Sequence, residues 1–334
     1  MTIVDVGELA GVSIKTVSRV LNGQANVSDA TRDRVHAAAK ALNYYPNVLA
    51  QGLVRRRSHL VGLVYENPSP SYVVEVQQGV LHRLRSERYQ LVVIPISSIA
   101  ERAAEVVGLL RAASLDGVIL APPASNNARI LADLTAAGIR CARIASTHLT
   151  DAGPSTIIDD EAAAREIAMH LIRSGHRRIG IIKGDPTHAA TDARHAGYLD
   201  ALTSAGLTVP DAWIEQGMFT RNSGYLAARR LLASADRPTA VLAQNDDMAV
   251  GALIAARELG LSVPEDLSIV GFDDSEIAQI AWPAITTIRQ PVFDMAVDAT
   301  DMLIALLEER PTDLRRHHRY EMIVRGSSGP PPGS

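Results

Sequence analysis

The stretch DVGELAGVSIKTVSRVLNG, residues 5–23, holds two short helical patterns on either side of a glycine. In the first, Ile3, Val6, Leu9 and Ala10 fall on one face, with Thr2 placed to cap the N-terminus. Gly11 stops that helix, and Val12 covers the inner side of a tight turn. Ser13 then caps a second helix whose Val17, Val20 and Leu21 face inward, leaving Ile14, Lys15, Ser18 and Arg19 outside. Ser28 opens a third helix with Val35, Ala38, Ala39 and Leu42 as its apolar stripe. Two helices joined by so short a glycine-containing turn form a helix-turn-helix, whose second helix enters the DNA major groove.

The charge distribution agrees. Residues 1–60 carry eight Lys/Arg against four Asp/Glu, a net +4, and the remaining chain carries 25 against 33, a net −8. A basic head on an acidic body suits a polyanionic partner for the head alone.

The same stretch, with VSDATRDRV (27–35) and NYYPNVLAQGL (43–53), resembles the DNA-binding head of the lactose repressor/galactose repressor family. Gly7 departs from the family's usual Ala, at a cost of up to ~1 kcal/mol in a helix interior. On the outer face, Arg19 and Lys15 suit guanine edges and Ile14 a thymine methyl, whereas Thr16, Ser18 and Asn22 suit phosphate oxygens. The resemblance makes residues 46–53 a hinge helix that pairs with a second copy in the minor groove, Asn47 and Ala50 lying on it and Leu53 wedging the central base step. Pro46 suits its first turn. Arg55, Arg56 and Arg57 end the linker near phosphates.

Beyond residue 58 short apolar runs alternate with helical stretches, as in a parallel sheet with helices on both faces. The strand candidates are residues 60–65, 89–96, 116–122, 140–145, 177–184, 213–219, 239–245, 267–273 and 286–290. The resemblance extends here to a two-lobed, periplasmic-binding-protein-like α/β core with three crossovers. It divides the chain into a helix-turn-helix domain (1–45), a hinge (46–57), an effector-binding and dimerisation core (58–327) and a disordered tail (328–334). Lobe 1 takes residues 58–158 and 291–320, and lobe 2 takes 159–290 and 321–327.

Position by position, the resemblance carries an effector site onto Tyr72, His188, Arg194, Phe219, Asn245, Asp273 and Gln290. Polar anchors beside an aromatic platform at strand ends are what a small polar ligand needs. Tyr72 and His188 are expected at the rim, Asp246 and Asp274 as helix caps, and Trp282 in the cleft or the core. Tyr72 is followed by Val73 rather than a second aromatic, and Asn245 is typical of sugar-responsive members. The resemblance therefore favours a sugar or sugar phosphate over a nucleobase or nucleoside, which stays as the alternative effector.

The implied function is a repressor that binds a palindromic double-stranded operator as a homodimer and is switched by a small effector. A non-catalytic solute-binding protein would show a leader and no basic head. An enzyme would need a nucleophile with its base, paired carboxylates or a phosphate loop, and neither GxGxxG nor GxxxxGK[ST] occurs in the 334 residues. No cofactor or metal is expected, the adjacent His317 and His318 lacking the spacing for one helix face. A single cysteine, Cys141, allows no intrachain disulfide and reads as a small buried apolar residue. A cytoplasmic protein, on the nucleoid when operator-bound, is the expectation.

Overall fold

The computed structural model describes residues 1–21, 26–44, 57–66, 69–147 and 152–333. They form two compact units, Met1–His59 and Leu60–Ser334.

The first unit holds α1 (Ile3–Ala10), α2 (Ile14–Leu21) and α3 (Asp29–Ala41). Thr2 and Asp5 close a capping box on α1, and Gly11 ends it in the left-handed region at φ 63°. The Ser13 hydroxyl accepts from Thr16 N at the start of α2. Val6, Ala10, Val17, Val20, Val35, Ala38 and Ala39 make the core, with Ile3, Val12, Leu21 and Leu42 partly buried against it. Leu9 does not join them and is 57% exposed. Ile3, Val6 and Ala10 span about 60° of the helical wheel at ~100° per residue, and Leu9 lies a further ~60° round, beyond what two partner helices cover. Ser28 stands at the N-cap of α3 but makes no side-chain cap bond, its hydroxyl pairing instead with that of Thr31.

The second unit contains β1 (Leu60–Tyr65), α4 (Pro70–Leu84), β2 (Gln90–Pro95), α5 (Ile99–Arg102), α6 (Val106–Ala112), β3 (Gly117–Leu120), α7 (Ala128–Ala137), β4 (Arg140–Ile144) and β5 (Ser155–Ile157). Then come α8 (Asp160–Arg173), β6 (Ile179–Lys183), α9 (Ala189–Ser204), β7 (Ile214–Gln216), α10 (Arg221–Leu232), β8 (Ala240–Ala243), α11 (Asp246–Glu258) and β9 (Ser268–Val270). The chain continues through α12 (Glu276–Ile280), β10 (Thr287–Arg289), α13 (Val292–Leu307), β11 (Arg315–His317) and β12 (Glu321–Ile323).

A six-stranded sheet runs β11-β5-β4-β3-β1-β2 and a four-stranded sheet β7-β6-β8-β9, every pairing in both being parallel. Such strands are covered on both faces and read as continuous apolar runs. Ile119 on β3 packs in the cluster with α4 and α13, whereas its neighbours Val118 and Leu120 pack in the cluster with α6 and α7. In the second sheet Ile181 faces α8 and α9, and Ile182 faces α10 and α11. Cys141 is fully buried, and burial raises its thiol to about 11.

Beside the two parallel sheets, β10 and β12 form a separate antiparallel pair, Ile288 opposite Met322. With three residues each, β5, β11 and β12 are too short to show a period in the sequence. The tail is anchored where it was read as disordered. His176 bonds to Gly329 O through Nε2 at 2.9 Å, Gly329 N donates to Ser268 Oγ at 3.0 Å, and Ser328 Oγ meets Thr286 Oγ1 at 2.8 Å. Backbone polar groups that find such partners hold a Gly/Pro-rich segment despite its composition.

Candidate functional site

Two surfaces carry chemistry, one on each unit. On the first, Ile14, Lys15 and Arg19 project from α2 into solvent, Ile14 being 48% exposed. Thr16 and Ser18 are half-buried beside them, and the Thr16 hydroxyl lies 2.9 Å from that of Ser13. Two cations and an apolar tip on a short rigid helix are what a major-groove reader presents. Arg57 is exposed. Asn22, Pro46, Asn47, Ala50, Leu53, Arg55 and Arg56 lie outside the described residues.

On the second unit all seven residues assigned from the sequence line one cleft. Strand ends deliver four of them: Phe219 follows β7, Asn245 follows β8, Asp273 follows β9 and Gln290 follows β10. Tyr72 comes from the first turn of α4, His188 is the N-cap of α9, and Arg194 lies on α9. Tyr72 and His188 are walls rather than rim residues, at 8% and 4% exposure. The N-cap of α4, Ser69, lines the cleft beside Tyr72.

Arg194 is the hub. Its Nε donates to Asp160 Oδ1 at 2.8 Å, its Nη1 donates to Gln244 O at 2.6 Å and lies 3.8 Å from Asp273 Oδ1, and its Cζ sits 3.6 Å above the Phe272 ring. Asp273 also accepts from Gln290 Nε2 at 2.6 Å. Burial pushes the Asp273 carboxyl up to about 7, opposed by Arg194. The backbone of Asp273 has φ 116°, a region side chains rarely adopt, and Phe219 has φ 55°. Strain of this kind persists where surrounding contacts over-determine it. Here Asp273 N donates to Ile288 O at 2.8 Å, and the Phe219 carbonyl accepts from Asn245 Nδ2 at 3.0 Å.

Asn245 is at once the N-cap of α11, accepting from Met248 N at 3.0 Å, and a wall of the cleft. Its second amide N–H is not needed for either bond. Phe219 closes edge-on against His188 at 5.2 Å between centroids, and its ring occupies the space a side chain at residue 184 would fill, which requires Gly184. Burial drives His188 down to about 4, so its imidazole is neutral.

The sequence reading missed Ser69, Pro122, Ala145, Asp160 and Ala190, which also line the cleft. Asp160 carried a signal, since a buried guanidinium demands a carboxylate, but its partner lies far along the chain and its local place is only the first helical residue after the N-cap Asp159. Other expectations fail. Trp282 is neither cleft nor core but 82% exposed. Asp274 is not a cap; it pairs with Arg289 and Arg325. Asp246 accepts from Ser275 N at 2.8 Å and from Thr287 Oγ1 at 2.6 Å, bracing the start of α12 rather than capping its own helix.

A helix-turn-helix unit joined to a two-sheet α/β unit with a polar cleft defines a ligand-responsive DNA-binding regulator. Residues 2–47 match the model of bacterial regulatory proteins of the lacI family, and residues 168–328 match a periplasmic binding protein-like domain. Catabolite control protein A of Priestia megaterium is 31% identical over 325 residues, spanning 96% of this chain and 98% of that protein. Among solved structures, the lac repressor dimer bound to operator and the anti-inducer ONPF matches at TM-score 0.87 and 28% identity, over 98% of this chain and 99% of that one. The transcriptional regulator CelR–cellobiose complex matches at TM-score 0.74 and 32% identity over the same shares. The chain belongs to the lacI family of bacterial regulatory proteins. It is a DNA-binding transcriptional regulator and not an enzyme. Among the described residues no helix is long and apolar enough to cross a membrane, and no cluster of three or more His, Cys, Asp or Glu could hold a metal ion.

Proposed function

We propose that this protein is a repressor that binds a near-palindromic operator as a homodimer and changes its operator affinity when a sugar-like effector occupies the cleft. The observation that carries this reading is the convergence of Tyr72, His188, Arg194, Phe219, Asn245, Asp273 and Gln290 on one cleft. Lys15, Arg19 and Ile14 read bases, and Thr16, Ser18 and Asn22 touch phosphates. Residues 46–57 act as the hinge, with Asn47, Ala50 and Leu53 toward the minor groove. Residues 58–158 with 291–320 form one lobe and 159–290 with 321–327 the other, the strand order placing β11 beside β5 in support. The effector's carboxylate and amide partners come from both strand ends and helix starts, so it is held only when the walls stand together. A ligand regulates through its different affinity for the DNA-competent and incompetent arrangements.

A second copy is the partner. Leu226 on α10, Ile254 on α11, and Ile280 and Trp282 at the end of α12 are 46%, 39%, 73% and 82% exposed on elements that pack against one another. An apolar face of this kind, on a protein whose operator is two-fold, fits an isologous interface. With chromosomal DNA as target, the protein works in the cytoplasm. Footprinting of the full chain on upstream regions of neighbouring genes, with and without candidate sugars, tests the reading. Protection over two half-sites about one helical turn apart, altered by one sugar, supports it. A single asymmetric site bound by monomer overturns it.

A further inference from the structure

The cleft is poor in positive charge. Its lining contains two carboxylates, Asp160 and Asp273, and one guanidinium, Arg194. That guanidinium is already engaged: Nε on Asp160 at 2.8 Å, Nη1 on the Gln244 carbonyl at 2.6 Å, with Asp273 3.8 Å away. A further carboxyl stands close behind: Asp247 accepts from the Ser69 hydroxyl at 2.7 Å. Asp246, fully buried on bonds from Ser275 and Thr287, is raised well above the usual carboxylate range by burial and is left out of the charge balance. His188 adds no charge, because burial keeps it neutral. The first amides of α9, beside the lining residue Ala190, offer only the partial charge of a helix end, about half an elementary charge.

From this balance we infer that the cleft selects an uncharged, hydroxyl-rich molecule, an unphosphorylated sugar or polyol, and rejects its phosphate ester. The inference rests on the cleft being the effector site. Hydroxyl groups donate to Asp160 and Asp273 and fill the acceptor positions that Arg194 and Gln290 leave open. The Phe219 ring gives the C–H face of such a molecule an apolar seat. A phosphate dianion would need cations that are already spent, and would stand against like charges in a confined site. Crowding of the carboxylates is visible in Asp273, which burial and its acidic neighbours hold above the usual carboxylate range while Arg194 opposes them.

Calorimetry on the full chain tests this with aldohexoses, aldopentoses and sugar alcohols, each paired with its terminal phosphate ester, and with inorganic phosphate as a bare anion. The expected result is that whichever uncharged compound binds does so at least about tenfold more tightly than its ester, and that phosphate alone gives no heat. Asp160→Asn, checked for fold by circular dichroism, should narrow that gap by releasing Arg194. An ester that binds wild type as tightly as its parent sugar, with binding lost in Phe219→Ala, overturns the selectivity and leaves the cleft as the effector site. Binding that is unchanged in both Phe219→Ala and Arg194→Met overturns the cleft reading itself. Failure of every uncharged compound while an ester binds also overturns the inference.

Discussion

Arg194 and Asp160 form a buried ion pair, Nε to Oδ1 at 2.8 Å, with side chains only 6% and 12% exposed. The pair joins the middle of the cleft wall, on α9, to the first residue of α8. Its value lies less in stability than in geometry, since a buried pair roughly offsets its own desolvation. It holds the guanidinium over Phe272 and beside Asp273, fixing where a ligand's hydroxyl groups must fall.

Breaking that pair should be costly. Arg194→Met leaves Asp160 and Asp273 buried without their cation, and urea unfolding should show a loss of about 3–5 kcal/mol relative to wild type. A loss below ~1 kcal/mol would place Arg194 among loosely held surface pairs.

The head makes a separate prediction. Arg19→Ala should cost about 1–3 kcal/mol on operator DNA while leaving weak binding to random DNA nearly intact, as gel-shift titration at fixed salt would show. Equal losses on both would assign Arg19 to phosphates.

The three helices of the head were legible because capping, glycine stop and apolar stripe all agree, and β1–β4 and β6–β10 were legible as apolar runs between helical stretches. The cleft was legible as residue types at strand ends. What escaped were features that depend on a partner far along the chain. Asp160 matters because Arg194 lies 34 residues away, and Asp274 because Arg325 lies 51 away. Leu9 and Trp282 were misplaced for the opposite reason: apolar character says a residue gains by burial, not that the fold has anything to cover it.

Effector binding should be linked to protons. In the free protein the Asp273 carboxyl is raised to about 7 by burial, so it is partly protonated at neutral pH. A ligand hydroxyl donating to the carboxylate favours the ionised form, so binding should release a proton and tighten as pH rises from 6 to 8. Calorimetry in two buffers of different ionisation heat measures that release, and proton uptake instead would reverse the assignment. The same shift acts on folding with a definite sign. A carboxyl raised in the folded state contributes stability below its ordinary value of about 3.9 that is lost as pH climbs through about 7, a loss Asp273→Asn should remove.

Asn245 serves two roles that one substitution pair separates. Asn245→Ala removes the α11 cap and the bond to the Phe219 carbonyl, and should cost about 1 kcal/mol of stability along with effector affinity. Asn245→Asp keeps the cap but loses the amide donor to the Phe219 carbonyl, so its stability loss reports that bond alone, and it should still weaken the effector. Equal effector affinity in wild type and both variants would confine Asn245 to capping.

Operator affinity measured across an effector titration in wild type and Asp273→Ala reads whether the cleft governs the head. Operator affinity should be equal without effector, shift clearly in wild type when effector is added, and not shift in Asp273→Ala at the same concentrations. A variant that still responds at the wild-type effector concentration would contradict this.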